Sequence, residues 1–126
     1  MKNEVGVVSS TYAKYNTEEL LDGISKAGFQ YIELASFPAY FDHILPRPED
    51  STKEDVESTL ALCKKYGHEL YCIAGHTRMM KKDDVKDLKR VIDYVQMAGV
   101  HFLTTDTGEV SSDEDIKKVQ YISGKL

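Results

Sequence analysis

The stretch that decides the fold is Ala27-Gly28-Phe29-Gln30-Tyr31-Ile32-Glu33-Leu34-Ala35-Ser36-Phe37. A helical pattern ends at Gly28, because a residue without a Cβ can take the left-handed conformation that closes a helix. The aromatic and aliphatic run from Tyr31 to Phe37 is typical of a buried strand. Glu33 lies in the middle of this run, and a buried strand does not normally keep a charge without a partner or a task. The stretch therefore predicts a helix-to-strand step that carries one candidate functional residue.

The same step returns twice further along the chain. Tyr66-Gly67 leads into a strand predicted at 70–74, and Ala98-Gly99 leads into one predicted at 100–105. The opening run Val5-Gly6-Val7-Val8-Ser9-Ser10 predicts one more strand. A repeated unit of strand and helix builds a parallel sheet. The 126 residues therefore predict a single α/β domain over 1–126, with four βα units, ending partway through the fourth helix.

Three of the predicted helices open with a capping box, in which a small polar residue precedes a glutamate by three positions. The predicted pairs are Asn16 with Glu19, Ser51 with Glu54, and Ser111 with Glu114. The remaining helix, third in the chain, is predicted to start near residues 82–84.

All three prolines of the chain lie between residues 38 and 50, together with Tyr40, Phe41, His43 and Ile44. Regular structure is not expected there. Two interpretations stay open: a lid over the mouth of the sheet, or a surface loop that packs its own apolar residues.

Composition excludes several classes of protein. The net charge is −5 and the basic pair Lys81-Lys82 is followed by two aspartates, so no nucleic-acid surface is expected. No apolar run approaches the roughly 20 residues of a membrane span, and no secretory signal follows Met1. Cys63 and Cys72 are expected to be buried and reduced. These features predict a cytoplasmic protein.

Ligands of parallel α/β sheets bind beyond the carboxyl ends of the strands. The candidate residues at or near those ends are Glu33, Ser36, His76, Arg78 and Asp106. Alternation along each strand predicts that Glu33, His76 and Asp106 share one side of the sheet. The residues predicted to face the helices instead are Ile32, Leu34, Tyr71, Ile73, Leu103 and Thr105.

Each candidate also has a structural interpretation. Glu33 would be a buried carboxylate bonded to neighbouring strands, and His76 a hydrogen-bonded loop histidine. Asp106 would shape the turn before the fourth helix. Arg78 would either hold a phosphate or be an exposed arginine. No dinucleotide fingerprint, P-loop or nucleophile elbow is present.

The run from Gly28 to Leu34 resembles the second strand of xylose-isomerase-like TIM barrels, the superfamily of sugar phosphate isomerases and epimerases. The opening strand, the helix start Asn16-Thr17-Glu18-Glu19-Leu20 and the step Ala98-Gly99-Val100 are also similar to that superfamily. The resemblance covers nearly the whole chain but only the N-terminal half of a complete member. It implies the first four βα units of a TIM barrel.

The resemblance further implies a metal-assisted enzyme that moves a proton next to the carbonyl of a sugar or sugar phosphate. The family's Mn²⁺ or Mg²⁺ ligands come from later strands, so neither a bound metal nor a catalytic residue is expected on this chain alone. Glu33, His76 and Asp106 are the positions expected to shape the sugar pocket. Because four strands cannot close a barrel, the chain is expected either to form a homodimer through the open sheet edges or to aggregate.

Two alternative functions remain at this point. One is a non-catalytic sugar-binding or interaction module that keeps the pocket without the metal. The other is a flavodoxin-like signalling domain, although its acidic first strand end is missing, since the first strand ends Ser9-Ser10-Thr11.

Overall fold

The computed structural model describes residues 4–37, 40–78, 80 and 82–124. The strands are β1 (Gly6–Val8), β2 (Tyr31–Phe37), β3 (Phe41–Asp42), β4 (Glu69–Arg78) and β5 (Phe102–Asp106). The helices are α1 (Thr17–Lys26), α2 (Lys53–Lys65), α3 (Lys82–Ala98) and α4 (Asp113–Ser123). Short 3₁₀ turns cover Ser9–Tyr12 and Pro48–Asp50. None of the helices in the described ranges is long and apolar enough to cross a membrane.

The sheet has the order β1-β2-β4-β5, and these four strands are all parallel. β3 adds a short antiparallel pair at the end of β2. The parallel strands follow one another across the sheet in the order of the chain. A flavodoxin-like sheet reverses its strand order at a switch point, so the described sheet does not have that order.

The hydrophobic core lies on one side of this sheet. Leu20, Leu21 and Ile24 of α1, Val56 and Cys63 of α2, and Tyr94 and Val95 of α3 belong to a single buried cluster with strand residues such as Ile32, Leu34 and Ile73. Three successive helices therefore pack against the same face of the sheet. The opposite face of the sheet carries the candidate site.

The glycines that end the helices are confirmed as the elements that turn the chain back into the sheet. Gly28, Gly67 and Gly99 have φ angles of 84°, 80° and 66°, in the left-handed region that a Cβ disfavours. The strand predicted at Tyr31–Phe37 has those bounds in the structure.

Two of the three predicted helix caps are shifted by one residue. Asn16 and Glu19 form the predicted capping box of α1. The box of α2 is formed by Thr52 with Asp55, and that of α4 by Ser112 with Asp115. At both wrong positions two overlapping pairs fit the same three-residue spacing, so the spacing did not distinguish them. Ser51 instead donates its hydroxyl to the carbonyls of Pro46 and Arg47.

Several boundaries also differ from the prediction. β1 stops at Val8 because Ser9–Tyr12 winds into a 3₁₀ turn, whereas β4 continues to Arg78. Helix α3 starts at Lys82, as predicted. The proline-bearing segment was predicted to be irregular, yet it contains β3 and the second 3₁₀ turn in its described part.

The predicted orientation of Tyr71 is wrong because β4 has a bulge. Ile32 pairs with Leu70 while Glu33 pairs with Cys72, so Tyr71 is an extra residue between the two pairs. Its side chain is 39% exposed and contacts the ring of Phe102, away from the core. Leu70 and Ile73, on either side of the bulge, both belong to the core. An extra residue breaks the alternation that placed Tyr71 toward the helices.

Close packing between β4 and α3 leads to a first testable prediction. A Cβ added at Gly75 would lie 2.5 Å from a methyl group of Val91, which is itself 1% exposed. Gly75→Ala should therefore lower the free energy of unfolding by about 2 kcal/mol through overpacking. The double variant Gly75→Ala with Val91→Ala should lose less than the two single variants together, because the second change removes the clash. Denaturant melts check both values; strict additivity would contradict this packing.

Candidate active site

Two of the predicted site residues lie next to each other at the carboxyl ends of neighbouring strands. His76 Nδ1 of β4 is 3.8 Å from Asp106 Oδ2 of β5. Their side chains are 26% and 37% exposed, so solvent and a small ligand reach both. At this distance the two groups attract each other when the imidazole is protonated, although the separation is too long for a direct hydrogen bond.

The two carboxylate oxygens of Asp106 make different contacts. Oδ1 accepts the backbone N–H of Gly108 at 2.8 Å, which shapes the turn after β5. Oδ2 faces His76. The turn-shaping interpretation and the site interpretation of Asp106 therefore both describe its contacts.

Glu33 lies on the same face of the sheet but is not adjacent to this pair. It pairs in register with Cys72, which precedes His76 by four residues. At about 3.3 Å per residue, Glu33 lies about 13 Å from His76 along the strand direction. The structure thus brings together His76 and Asp106, and it leaves Glu33 deeper on the sheet.

A small polar cluster surrounds Glu33. The Cys72 thiol lies 3.6 Å from Thr104 Oγ1, and Cys72 is 5% exposed. Burial raises the pKa of the Cys72 thiol, and the carboxylate of Glu33 raises it further. Burial also raises the pKa of Cys63, to about 11. Both cysteines are free and buried, as predicted, and neither has the lowered pKa of a reactive thiolate.

The two remaining candidates have different outcomes. Ser36 is 3% exposed and its hydroxyl donates to Asp42, so this hydrogen bond links β2 to β3. Arg78 pairs in register with Asp106 through the backbone. The Arg78 side chain lies outside the described part of the chain, so a phosphate contact and an exposed arginine both stay predictions.

Aromatic rings lie beside His76 on the side where β3 pairs with β2. The Phe37 ring meets the His76 ring edge-on, with 4.6 Å between their centroids. Tyr40 and Phe41 in turn pack on Phe37, at 4.8 and 6.2 Å. Tyr40 is 76% exposed, whereas Ile44 of the same segment is buried in the core. The described part of the segment therefore packs its own apolar residues, and its Tyr40 and Phe41 support the Phe37 ring that forms a wall beside His76. The lid interpretation stays a prediction.

A buried histidine that the sequence did not single out holds this wall in place. His43 is 2% exposed and its Nδ1 lies 3.0 Å from the hydroxyl of Ser9, while its Nε2 lies 3.1 Å from the carbonyl of Tyr15. A carbonyl only accepts hydrogen bonds, so Nε2 carries the proton and Nδ1 accepts from Ser9. The Ser9 oxygen also accepts the N–H of Ala35 at 2.9 Å. Burial lowers the pKa of His43, which favours its neutral form.

This Ser9–His43 pair is a structural link. Ser9 is fully buried, so no substrate reaches its oxygen. The link joins the end of β1, the middle of β2 and the segment that follows β3. No local pattern pointed to it, because its members are 34 residues apart.

The donor set does not fit a divalent metal. Among the residues described, no three histidine, cysteine, aspartate or glutamate side chains lie close enough to hold an ion. His76 and Asp106 supply only two groups, and Glu33 is too far away to be a third.

Comparison with known proteins gives a likeness in fold only. No family model matches the sequence, and no curated protein matches it. The crystal structure of an uncharacterized protein from Parabacteroides distasonis ATCC 8503 is similar, with a TM-score of 0.66 and 16% sequence identity. The match covers 97% of this chain and 49% of that chain. This chain therefore shares its α/β fold with a protein of which it spans about half the length.

Proposed function

We propose that the chain is one half of an eight-stranded (βα) barrel that acts on a sugar or sugar phosphate by moving a proton next to the carbonyl. Three features support the barrel half. The parallel strands follow chain order, the first three helices share one face, and the chain matches about half of a longer protein. A barrel has these same properties in each of its halves.

The observation that carries the chemical proposal is the pair of His76 and Asp106 at the carboxyl ends of β4 and β5. Imidazole is the side chain that most often moves protons near neutral pH. In the proposed reaction, His76 takes a proton from the carbon next to the carbonyl. The electrons of the broken C–H bond move to the carbonyl oxygen, and an enediolate forms. In an isomerase the neighbouring hydroxyl passes its proton to that oxygen, and the imidazolium returns its proton to the former carbonyl carbon. In an epimerase a solvent proton adds to the opposite face of the same carbon, and the imidazolium releases its proton to solvent. Asp106 orients the ring and stabilises the imidazolium that forms in between.

The surroundings of the pair suit a small polyol. The Phe37 ring gives an apolar wall beside His76. Glu33 lies deeper on the same face, about 13 Å from His76 along the strands. A small sugar that contacts His76 therefore finds its hydrogen-bond acceptor in the carboxylate of Asp106.

The Mn²⁺ or Mg²⁺ of the superfamily that the sequence resembles would be bound only in a complete barrel. Its ligands would come from the half that this chain does not contain. The proton transfer assigned to His76 does not depend on that ion being held by this chain.

Exchange of hydrogen for deuterium tests the chemistry directly. The protein is incubated in D₂O with a panel of aldoses, ketoses and their phosphates, with and without Mn²⁺ or Mg²⁺. We expect deuterium at the carbon next to the carbonyl of at least one sugar, detected by NMR. Saturable sugar binding without exchange would favour a non-catalytic sugar-binding module. Absence of both binding and exchange across the panel would contradict the proposal.

A further inference from the structure

Every polar group of His43 is bound to another part of the fold. Its backbone N–H donates to the carbonyl of Ala35 in β2, and its own carbonyl accepts the hydroxyl of Thr17 at the start of α1. Its ring contacts the Ser9 hydroxyl through Nδ1 and the Tyr15 carbonyl through Nε2. This one residue therefore joins the segment after β3 to β2, to α1 and to the turn that follows β1.

Only the neutral form of the His43 ring satisfies these contacts. The Ser9 oxygen accepts the N–H of Ala35, while its hydroxyl hydrogen is donated to Nδ1 of His43. A protonated ring carries a hydrogen on Nδ1 as well, so two donors would face each other. Ser9 is fully buried, so bulk water does not reach its hydroxyl hydrogen if that hydrogen turns away. Protonation of His43 therefore costs a hydrogen bond and buries a charge at the same time.

A row of packed rings connects His43 with the candidate site. The His43 ring stacks on Phe41 with 5.2 Å between their centroids, and Phe41 stacks on Phe37 at 6.2 Å. Phe37 in turn meets the His76 ring edge-on at 4.6 Å. Because packed side chains leave one another little free space, a shift of His43 is passed through the two phenylalanines to the wall beside His76.

We propose that His43 is a positioning residue, which holds the rings of Phe41 and Phe37 against His76 only while its own ring is neutral. Protonation of His43 releases the segment after β3, and the Phe37 ring moves away from His76. The site then loses its apolar wall in acid, although His43 itself touches no substrate. The consequence for a bound sugar rests on the proposed function, whereas the movement of the rings does not.

One carboxylate opposes the effect of burial on His43. Burial lowers the pKa of His43, and the negative charge of Asp42 on β3 acts in the opposite direction. Asp42 also accepts the Ser36 hydroxyl and lies 3.5 Å from Nε of Arg47. In the described part of the chain, the residues that face His43 from the 3₁₀ turn, α1 and α2 do so with uncharged hydroxyls or backbone atoms: Ser9, Tyr12, Tyr15, Thr17, Ser58 and Thr59. The ring is therefore expected to take up its proton below pH 6.5.

An NMR titration of the folded protein tests the inference without any sugar. The ring resonances of Phe37 and Phe41 are followed between about pH 7.5 and about pH 4.5. We expect both to shift with a midpoint below pH 6.5, and the cross-peak between the rings of Phe37 and His76 to be lost at the acid end. Far-UV circular dichroism should stay constant over this range. Rings that do not shift, or that shift only when the circular dichroism is lost, would overturn the inference.

Variants of the two histidines assign the titration to one of them. His76→Gln removes the titrating ring beside Phe37, and we expect Phe37 to shift with pH in this variant as well. His43→Gln still carries an N–H for the Tyr15 carbonyl but takes up no proton in this range. Adding it to His76→Gln should abolish the shift of Phe37, whereas adding His101→Gln, at the opposite end of the sheet, should not. A shift that survives His43→Gln would overturn the inference.

Ser9→Ala tests the same contact from the other side and keeps the histidine. It removes the hydroxyl whose hydrogen faces Nδ1, so a protonated ring no longer meets a second donor. The midpoint of the Phe41 shift should therefore rise towards pH 6.5. An unchanged or lower midpoint would mean that the Ser9 hydroxyl does not hold His43 in its neutral form.

Sugar binding separates this inference from the proposed function. For a sugar that binds at pH 7, the affinity of the wild type should fall at about pH 5 by a larger factor than the affinity of His43→Gln. Ring movement without binding of any sugar would overturn the proposed function and keep the inference. Sugar binding with rings that do not move, and with the same acid dependence in wild type and His43→Gln, would keep the proposed function and overturn the inference.

Discussion

His76→Gln should lower the rate of deuterium exchange into the sugar by about 10² to 10⁴-fold, the usual contribution of a positioned general base. Glutamine keeps hydrogen-bonding groups near the position of the imidazole but cannot take up a proton at neutral pH. The affinity for the sugar should change far less than the rate. Rate and affinity are measured separately, by NMR exchange and by calorimetry.

Asp106→Asn should have a smaller effect, about tenfold on the exchange rate, because Asp106 acts through the orientation of His76. The asparagine oxygen can still accept the N–H of Gly108, so the turn after β5 is kept. The loss should appear in the exchange rate and not in the sugar affinity, since the group 3.8 Å from the imidazole acts on the ring and not on the bound sugar. An unchanged exchange rate would mean that Asp106 only shapes the turn after β5.

His101→Gln is the matched control for the His76 variant. His101 is exposed and precedes β5, at the opposite end of the sheet from Asp106. Its replacement should not change the exchange rate. Equal losses in the two histidine variants would rule out His76 as the group that moves the proton.

His43→Ala should lower the free energy of unfolding by about 3 kcal/mol at neutral pH. The change removes a ring that is 2% exposed and leaves the Ser9 hydroxyl and the Tyr15 carbonyl without their partner. It also removes the ring that stacks on Phe41, at 5.2 Å. Urea melts at pH 7 measure the difference, and His101→Ala should stay within about 0.5 kcal/mol of the wild type as an exposed control.

The cost of His43→Ala should shrink as the pH falls. Burial lowers the pKa of His43 in the folded protein below the 6.5 of the unfolded chain. Below pH 6.5 the unfolded chain therefore binds a proton that the folded protein does not, and the wild type loses stability until the pH reaches the lowered folded value. The variant has no such group, so the difference between the two proteins decreases between pH 7 and about pH 5. A constant difference over this range would mean that His43 is not buried in its neutral form.

The sequence placed most of the elements because their signals are local. A glycine with a left-handed φ ends a helix before the next strand, as at Gly28 and Gly67. This signal involves only one or two residues, so it can be read directly from the sequence. The same holds for the capping box of Asn16 and Glu19. Where two overlapping boxes were available, as at Ser51 and Thr52, local spacing could not decide between them.

Strand alternation predicted which side of the sheet each candidate side chain lies on, and this is the part of the site that the sequence could predict. His76 and Asp106 were expected on one side of the sheet at the strand ends, and the structure brings them to 3.8 Å. The distance of His76 and Asp106 from Glu33 depends on the register between β2 and β4. That register cannot be read from the sequence of either strand alone.

The sequence by itself determined the α/β class, the helix-to-strand steps and the strand ends that carry polar residues, because each of these depends on neighbours in the chain. The tertiary structure alone decided the bulge that turns Tyr71 to the open face, the link between Ser9 and His43, and the separation of Glu33 from His76. These are relations between strands or between residues far apart in the chain. They are set by how the elements pair and pack, which local propensities do not encode.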